Sequence, residues 1–421
     1  MPDAAIRQRI TDAVDALRVV DTHEHLEQEA TRLKRTIDFG NWWSHYASSD
    51  LISAGMPPAD LEFLRDAGQP IMDRWAKLEP HWAHVRTTAY GRALLLAARE
   101  LYDAPDINRD TVEGLSARIA ASNRPGWYRE VLSERAGIAV SVQCGNTEGL
   151  DRELFNPVFH SDEWVMARTR FDFERLGQRT GVPIHTLDDL CAALSSALDA
   201  EQKAGICGMK SALAYVRILR YDKRTREEAE RVFVRGFESH GGGVDWSEAR
   251  PLQDFLFHQV IREGIRRNLT IQIHTGLQEG NGNFITNANP THLTGLFMEY
   301  PEARFDLFHG GYPYGGELAT LAKNFANVYI DMCWLHVISP TFAQRWLREW
   351  IETVPSNKIS AFGGDYIFVE GAYAHSRMAR QGVAATLAGL VEDGYFGEDE
   401  AIAVARKILR DNPASLFGLK V

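Results

Sequence analysis

The chain has 421 residues, 45% hydrophobic and 24% charged, which is enough to bury a large core and too ordinary a composition for a disordered or fibrous protein. Its net charge of −11 argues against a nucleic-acid or anionic-membrane surface and leaves a small-molecule substrate as the expected partner. No run reaches the roughly 18 apolar residues of a membrane span. The stretch MPDAAIRQRITDAVDALRVV reads as an amphipathic helix rather than a secretory signal. Cys144, Cys191, Cys207 and Cys333 lie far apart, without Cys-x-x-Cys spacing. These features predict a cytoplasmic protein with reduced thiols; a homo-oligomer is also expected.

The first strand is predicted at Val19-Val20, running into Asp21-Thr22-His23-Glu24-His25. Residues two apart on a strand share a face, so His23 and His25 can present two imidazoles to one ion, with Glu24 turned away. From about residue 27 to about residue 135 the strand–helix alternation stops, and an aromatic-rich region with helical segments such as GRALLLAARELYD reads as a helical insertion after the first strand. His45, His81 and His84 lie there, placed either to reach over a site as a lid or to pack between helices.

Alternation resumes at Gly137. Strands are predicted at GIAVSVQCG, EWVMARTRFDF, ICGMKSALAYVR, LTIQIHTG, RFDLFHGG, NVYIDMCW and KISAFGGD, with helices at TLDDLCAALSSALDAEQKAG, PLQDFLFHQVIREGIRRN, THLTGLFMEYP, ELATLAKNFA, FAQRWLREWIETVP and along the carboxyl-terminal segment. Counted from Val19 there are eight strands, mostly followed by helices. The expected fold class is α/β: a distorted (β/α)₈ TIM barrel, one domain over residues 1–421 carrying the insertion.

Active-site residues of such barrels sit where strands end. Here His274 ends LTIQIH, His309 ends RFDLFH and Asp365 follows SAFGG, so with His23 and His25 five potential metal ligands fall at strand ends. Imidazole and carboxylate together suit zinc, manganese or ferrous iron, zinc foremost, and fit calcium or magnesium poorly. Such a cation acidifies water near neutral pH, and Asp365 is placed both to bind metal and to move the proton.

Lys210 ends ICGMK and reads two ways: a lysine paired with a carboxylate at the barrel mouth, or a carbamylated lysine bridging two ions with His274 and His309 on the second. One or two ions are therefore expected. Arg217 and Arg377 follow predicted strands, where a guanidinium can grip a substrate carboxylate or form surface ion pairs. Trp334 and His336, after the seventh strand, are placed to line a pocket, while Cys207 points away from Lys210's face and reads as core.

In this order DTHEH, IQIHTG, LFHGG and FGGD resemble the metal-site signature of the amidohydrolase superfamily, and the terminal NPASLFGL resembles the end of its amidohydrolase-2 group. The resemblance implies a barrel with one or two divalent metals at its carboxyl-terminal mouth, usually activating water. KSALAYVR is similar to the lysine strand of metal-dependent hydrolases, including the amidohydrolase-like domain fused to some glutamine synthetase-like proteins. That likeness implies a metal-bridging Lys210 and sets Tyr215 and Arg217 toward the pocket.

NWWSHYASSDLISAGMP and HTGLQEGNGN resemble regions of uronate isomerase instead. The chain departs from that enzyme at Lys210-Ser211, where the isomerase has Ser-Asp-His, and after Asp365, where Tyr-Ile-Phe replaces Ser-Arg. The resulting expectation is a hydrolase of an amide, ester or lactone in a small, carboxylated substrate, with Asp365 and His309 catalytic. A uronate-isomerase-like reaction, a non-oxidative decarboxylation and a metal-stabilised binding domain are the alternatives.

Overall fold

The computed structural model describes residues 4–145, 149–239 and 242–421. Eight parallel strands follow one another in chain order: β1 (Val19–Glu24), β2 (Ile138–Cys144), β3 (Phe155–His160), β4 (Gly208–Ser211), β5 (Thr270–His274), β6 (Arg304–Phe308), β7 (Val328–Asp331) and β8 (Ile359–Ser360). Helices cover the outer face, and the strands are buried almost throughout, as a sheet covered on both sides requires. β8 is only two residues long, and the chain beyond it closes the ring on β1 through Thr22 N–H to Phe362 O (3.2 Å), Asp365 N–H to His23 O (2.7 Å) and His25 N–H to Tyr366 O (3.1 Å). Closure therefore sets Asp365 beside the His-x-His pair.

The amino-terminal helix is described from Ala4 to Ala16, residues 1–3 lying outside the described residues. It packs on the long helix Val369–Glu392. Among the described residues no helix is long and apolar enough to cross a membrane.

Two elements differ from the sequence expectation. EWVMARTRFDF is not a strand but parts of the helices Asp162–Met166 and Arg170–Thr180. Thr169 caps the second through Asp172 N–H, and the Asp172 side chain accepts from Thr169 N–H in return, a reciprocal cap that local apolar content does not reveal. The third strand is instead FNPVFH, whose Pro157 argues against strand in a sequence reading. It is tolerated because the Pro157 carbonyl still accepts from Cys207 N–H at 2.9 Å, just where β4 is about to begin. ICGMKSALAYVR is likewise strand only over Gly208–Ser211 and then turns through a short 3₁₀ helix, Leu213–Tyr215.

Between β1 and β2 the chain runs through a succession of helices, from Glu29–Arg32 to Arg129–Arg135. Trp42, Trp43, Trp75, Trp82 and Trp127 are buried among them. Two buried ion pairs fasten this region. Arg74 forks onto Asp38 (2.6 and 2.9 Å), and Arg32 forks onto Glu370 (2.7 and 3.1 Å) of the long carboxyl-terminal helix, with Tyr102 and Trp127 also donating to Glu370.

Candidate metal centre

The strand ends converge on a cavity of about 640 Å³ at the carboxyl-terminal mouth of the barrel, lined among others by His25, Lys210, His274, His309 and Asp365. The hydrogen bonds behind these rings decide what they present to it. Gln272 gives its amide hydrogens to Thr22 O and Asp306 Oδ2 (3.0 Å each), so its oxygen faces His23 Nδ1 at 3.0 Å and must accept from it. His23 Nε2 is therefore left bare toward the cavity. His274 Nε2–H donates to Leu277 O at 2.8 Å, which leaves its Nδ1 bare.

His309 meets a conflict. Its Nδ1 lies 3.3 Å from Cys333 O and its Nε2 lies 2.9 Å from the bare Nδ1 of His274. A neutral ring can donate at only one of these positions, and the other becomes lone pair against lone pair. Protonation would satisfy both, but burial, then His274 and Lys210, push His309 well below the usual histidine range. A cation lodged between the two rings removes the conflict, so this donor set fits a metal.

On the opposite side, His23 Nε2 and His25 Nε2 stand 3.2 Å apart, and Asp365 Oδ1 lies 3.7 and 3.4 Å from them. Ligands of a tetrahedral ion with bonds of 2.0–2.2 Å stand about 3.3–3.6 Å apart, so these three atoms are spaced as ligands of one ion. Burial first, and Lys210 second, hold His23, His25 and His274 neutral, His274 at about 3. Burial pushes the Asp365 carboxyl up to about 7 against the opposing pull of Lys210 and Tyr46. Lys210 Nζ lies 3.1 Å from His23 Nε2 and 4.6 Å above the Phe308 ring.

Tyr46, from the region between β1 and β2, donates its phenol to Asp365 Oδ2 at 2.7 Å and lies 2.5 Å from Asp365 O. Tyr46 is stacked on Trp334 at 4.7 Å, and Trp334 meets the His309 ring edge-on at 5.2 Å. These four residues also share a backbone signature: Tyr46 (φ 49°), His309 (72°), Trp334 (65°) and Asp365 (57°) all adopt positive φ. Strained backbone gathered at one place marks a site that the surrounding packing holds in shape.

The sequence-derived candidates thus separate. His23, His25, Lys210, His274, His309 and Asp365 come together. Tyr215 lines the cavity, its ring edge 4.7 Å from His274 and its hydroxyl accepting from Glu279 N–H at 2.9 Å. Trp334 is buried behind Tyr46 rather than exposed in the main cavity.

Arg217 does not reach the cavity. It is buried against Asp254 (2.6 Å) and Gln253 (3.0 Å), 4.4 Å over the Tyr221 ring, because the turn Leu213–Tyr215 carries the chain away from the mouth. His336 is buried in a short helix and bonds Ala361 O at 2.9 Å, outside the cavity. Arg377 lies on the outer helix Val369–Glu392, paired with Asp15 and Glu100. His81 and His84 sit in the helix Ile71–Val85 away from the cavity, whereas His45 lines it.

The lining residues that the sequence analysis does not name as site members include Tyr46, Cys144, His160 and Gln143. Cys144 and Gln143 end β2 as His274 ends β5, a signal set aside because thiols are usually core. His160 ends β3, which Pro157 obscured. Nothing local marks Tyr46.

The sequence profile of the amidohydrolase family matches residues 183–419, more than half of the chain. The chain belongs to that family. Protein fluG of Emericella nidulans is 29% identical over 230 residues, 52% of this chain and 26% of fluG, so the match spans only about a quarter of that relative's length. Uronate isomerase of Cutibacterium acnes is 28% identical over 106 residues, 25% of this chain and 23% of that enzyme. The crystal structure of uronate isomerase from Thermotoga maritima superposes with a TM-score of 0.81 at 16% identity, covering 98% of this chain and 97% of that one. Amidohydrolases generally use a divalent metal, and the strand-end cluster supplies candidate ligands for one.

Proposed function

We propose that this amidohydrolase is a metal-dependent hydrolase of an amide, ester or lactone bond in a small polar substrate. The observation that carries the reading is the place of Lys210: its Nζ lies 3.1 Å from His23 Nε2, and it lines the same cavity as His25, His274, His309 and Asp365. An amino group in the middle of five ligand-type side chains is where a carbamate can join two ions. His23, His25 and Asp365 would hold one ion and His274 and His309 a second, with carbamylated Lys210 between them. Divalent ions held by these residues, zinc foremost, would supply polarisation of the scissile carbonyl and acidification of water.

The protein's own groups supply the rest. Asp365 Oδ1 accepts a proton as a water oxygen bonds to the carbonyl carbon, and the same carboxyl returns that proton to the departing nitrogen or oxygen as the old bond breaks. The Tyr46 phenol fixes Oδ2, so that Oδ1 faces the reacting atoms. His45, Gln143, His160 and Tyr215 give the cavity polar walls suited to a hydroxylated or anionic substrate.

Turnover of an amide, ester and lactone panel in ¹⁸O-water tests this reading. Label in the acid product, lost after chelation, is expected. A protein inert on the panel that instead washes solvent deuterium into C2 of uronic acids, without ¹⁸O uptake, refutes hydrolysis. That outcome is the second reading, an aldose–ketose isomerase, and the Tyr46–Asp365 pair favours it, since a carboxylate beside a phenol can pass a proton between adjacent carbons. Carbon-13 NMR after exposure to labelled bicarbonate separates the two through Lys210: a carbamate signal accompanies hydrolysis and is absent in the isomerase case.

A further inference from the structure

We infer that Cys144 is a ligand of the ion held by His23 and His25, which makes this side of the centre a nitrogen–sulfur–oxygen site. The inference rests on the metal reading above and sharpens it to which ion is bound. The ligand atoms of His23, His25 and Cys144 all lie within 4.8 Å of one another. Cys144 ends β2, beside β1, and lines the cavity although it is buried in the fold, being 3% exposed.

Its strand end is also held from outside. Gln143 Nε2 donates to Leu26 O at 2.9 Å and to Cys144 O at 3.2 Å, tying the turn after the His-x-His pair to the end of β2. Below it, Val142 and Cys144 share an apolar cluster with Val158, Leu416 and Phe417. A core cysteine needs no more than that cluster. Cys144 differs in standing beside the two imidazoles of the His-x-His pair, one with its bare nitrogen set by Gln272.

A second thiol provides the contrast. His309, Cys333 and Asp365 also cluster, but the His309 nitrogen nearest Asp365 is Nδ1, at 3.8 Å, and it faces the carbonyl of Cys333 itself. With Nδ1–H donated to that carbonyl, the side chains of His309 and Cys333 cannot share an ion. Only Cys144 is placed for it among these two.

On coordination the Cys144 S–H bond breaks, the metal–sulfur bond forms and the proton leaves to solvent. Thiolate beside two imidazoles favours zinc or cobalt over manganese, which prefers oxygen-rich shells. The centre should therefore retain zinc or cobalt when manganese is offered in excess.

The test is cobalt, incorporated by growth in zinc-depleted, cobalt-supplemented medium. The wild-type protein should show visible cobalt d–d bands and a near-ultraviolet sulfur-to-cobalt charge-transfer band. Cys144→Ser should lose the charge-transfer band while keeping d–d absorption, and Cys333→Ser should keep both. X-ray absorption on the zinc-loaded wild type, which needs no variant, should find one sulfur at about 2.3 Å. Cobalt d–d bands without a sulfur band, a sulfur band that survives Cys144→Ser, or a zinc shell without sulfur each overturns the inference and leaves the metal reading standing. Absence of any bound ion overturns both.

Discussion

Zinc should raise the thermal stability of this protein, and removing the ligand pair on β1 should cut the rise to what the His274 and His309 side contributes. A ligand that binds only the folded state stabilises it by about 4 kcal/mol when free ligand is a thousandfold above Kd. Unfolding entropy near 60 °C is about 2.1 cal/mol/K per residue, or about 0.9 kcal/mol/K for this chain, so the expected rise is about 5 °C. Calorimetry of chelated and zinc-loaded protein reads the shift directly. His23→Ala also frees Gln272 Oε1 inside the barrel and lowers the baseline, so the quantity compared is the difference between loaded and chelated samples of each variant. The His23→Ala/His25→Ala protein should show a clearly smaller shift, what remains being the contribution of an ion at His274 and His309. An equal rise in that variant would place the ion elsewhere and refute the ligand argument built on the bare nitrogens.

Other perturbations have defined outcomes. Asp365→Asn should reduce turnover by about 10²–10⁴-fold, because it removes the proton acceptor, with circular dichroism unchanged. Arg32→Leu should cost about 3–5 kcal/mol in urea denaturation, since it leaves Glu370 charged in the interior without a counter-ion. That pair also sets a pH dependence. Burial alone would raise Glu370, but the Arg32 guanidinium outweighs it and holds the carboxyl below the ordinary value of 4.5. Its stabilisation is thus fully present above that value and lost as pH falls through the lower, folded value, so wild type should lose more stability on acidification than Arg32→Leu. Gly91→Ala would set a Cβ 2.4 Å from the Val85 carbonyl oxygen, a backbone atom, and should cost about 1–3 kcal/mol by the same denaturation assay.

Much of the site could be read along the chain. His23, His25, His274 and His309 each lie where an apolar run meets turn-forming residues, and the parallel register of the barrel carries all such ends to one mouth. Lys210 followed from the same rule. These positions were legible because strand alternation and strand ends are local properties, written within a few residues.

Where the reading went astray, the deciding interaction was not local. Arg217 looked like a substrate clamp, yet a buried guanidinium goes to whichever carboxylate packing brings near, and that was Asp254, 37 residues on. The strand EWVMARTRFDF gave way to two helices, the second started by a cap at Thr169, and the true third strand hid behind Pro157, taking His160 with it.

The sequence by itself determined the alternation that makes the barrel and the ligand types at its strand ends, because both depend on side-chain periodicity over short windows. Only the tertiary structure decided which nitrogen each histidine presents, that Tyr46 reaches across to Asp365, and that Cys144 stands beside the His-x-His pair. These depend on partners such as Gln272, Leu277 and Tyr46, which stand far along the chain from the groups they fix or are placed by backbone turns that leave no periodic trace.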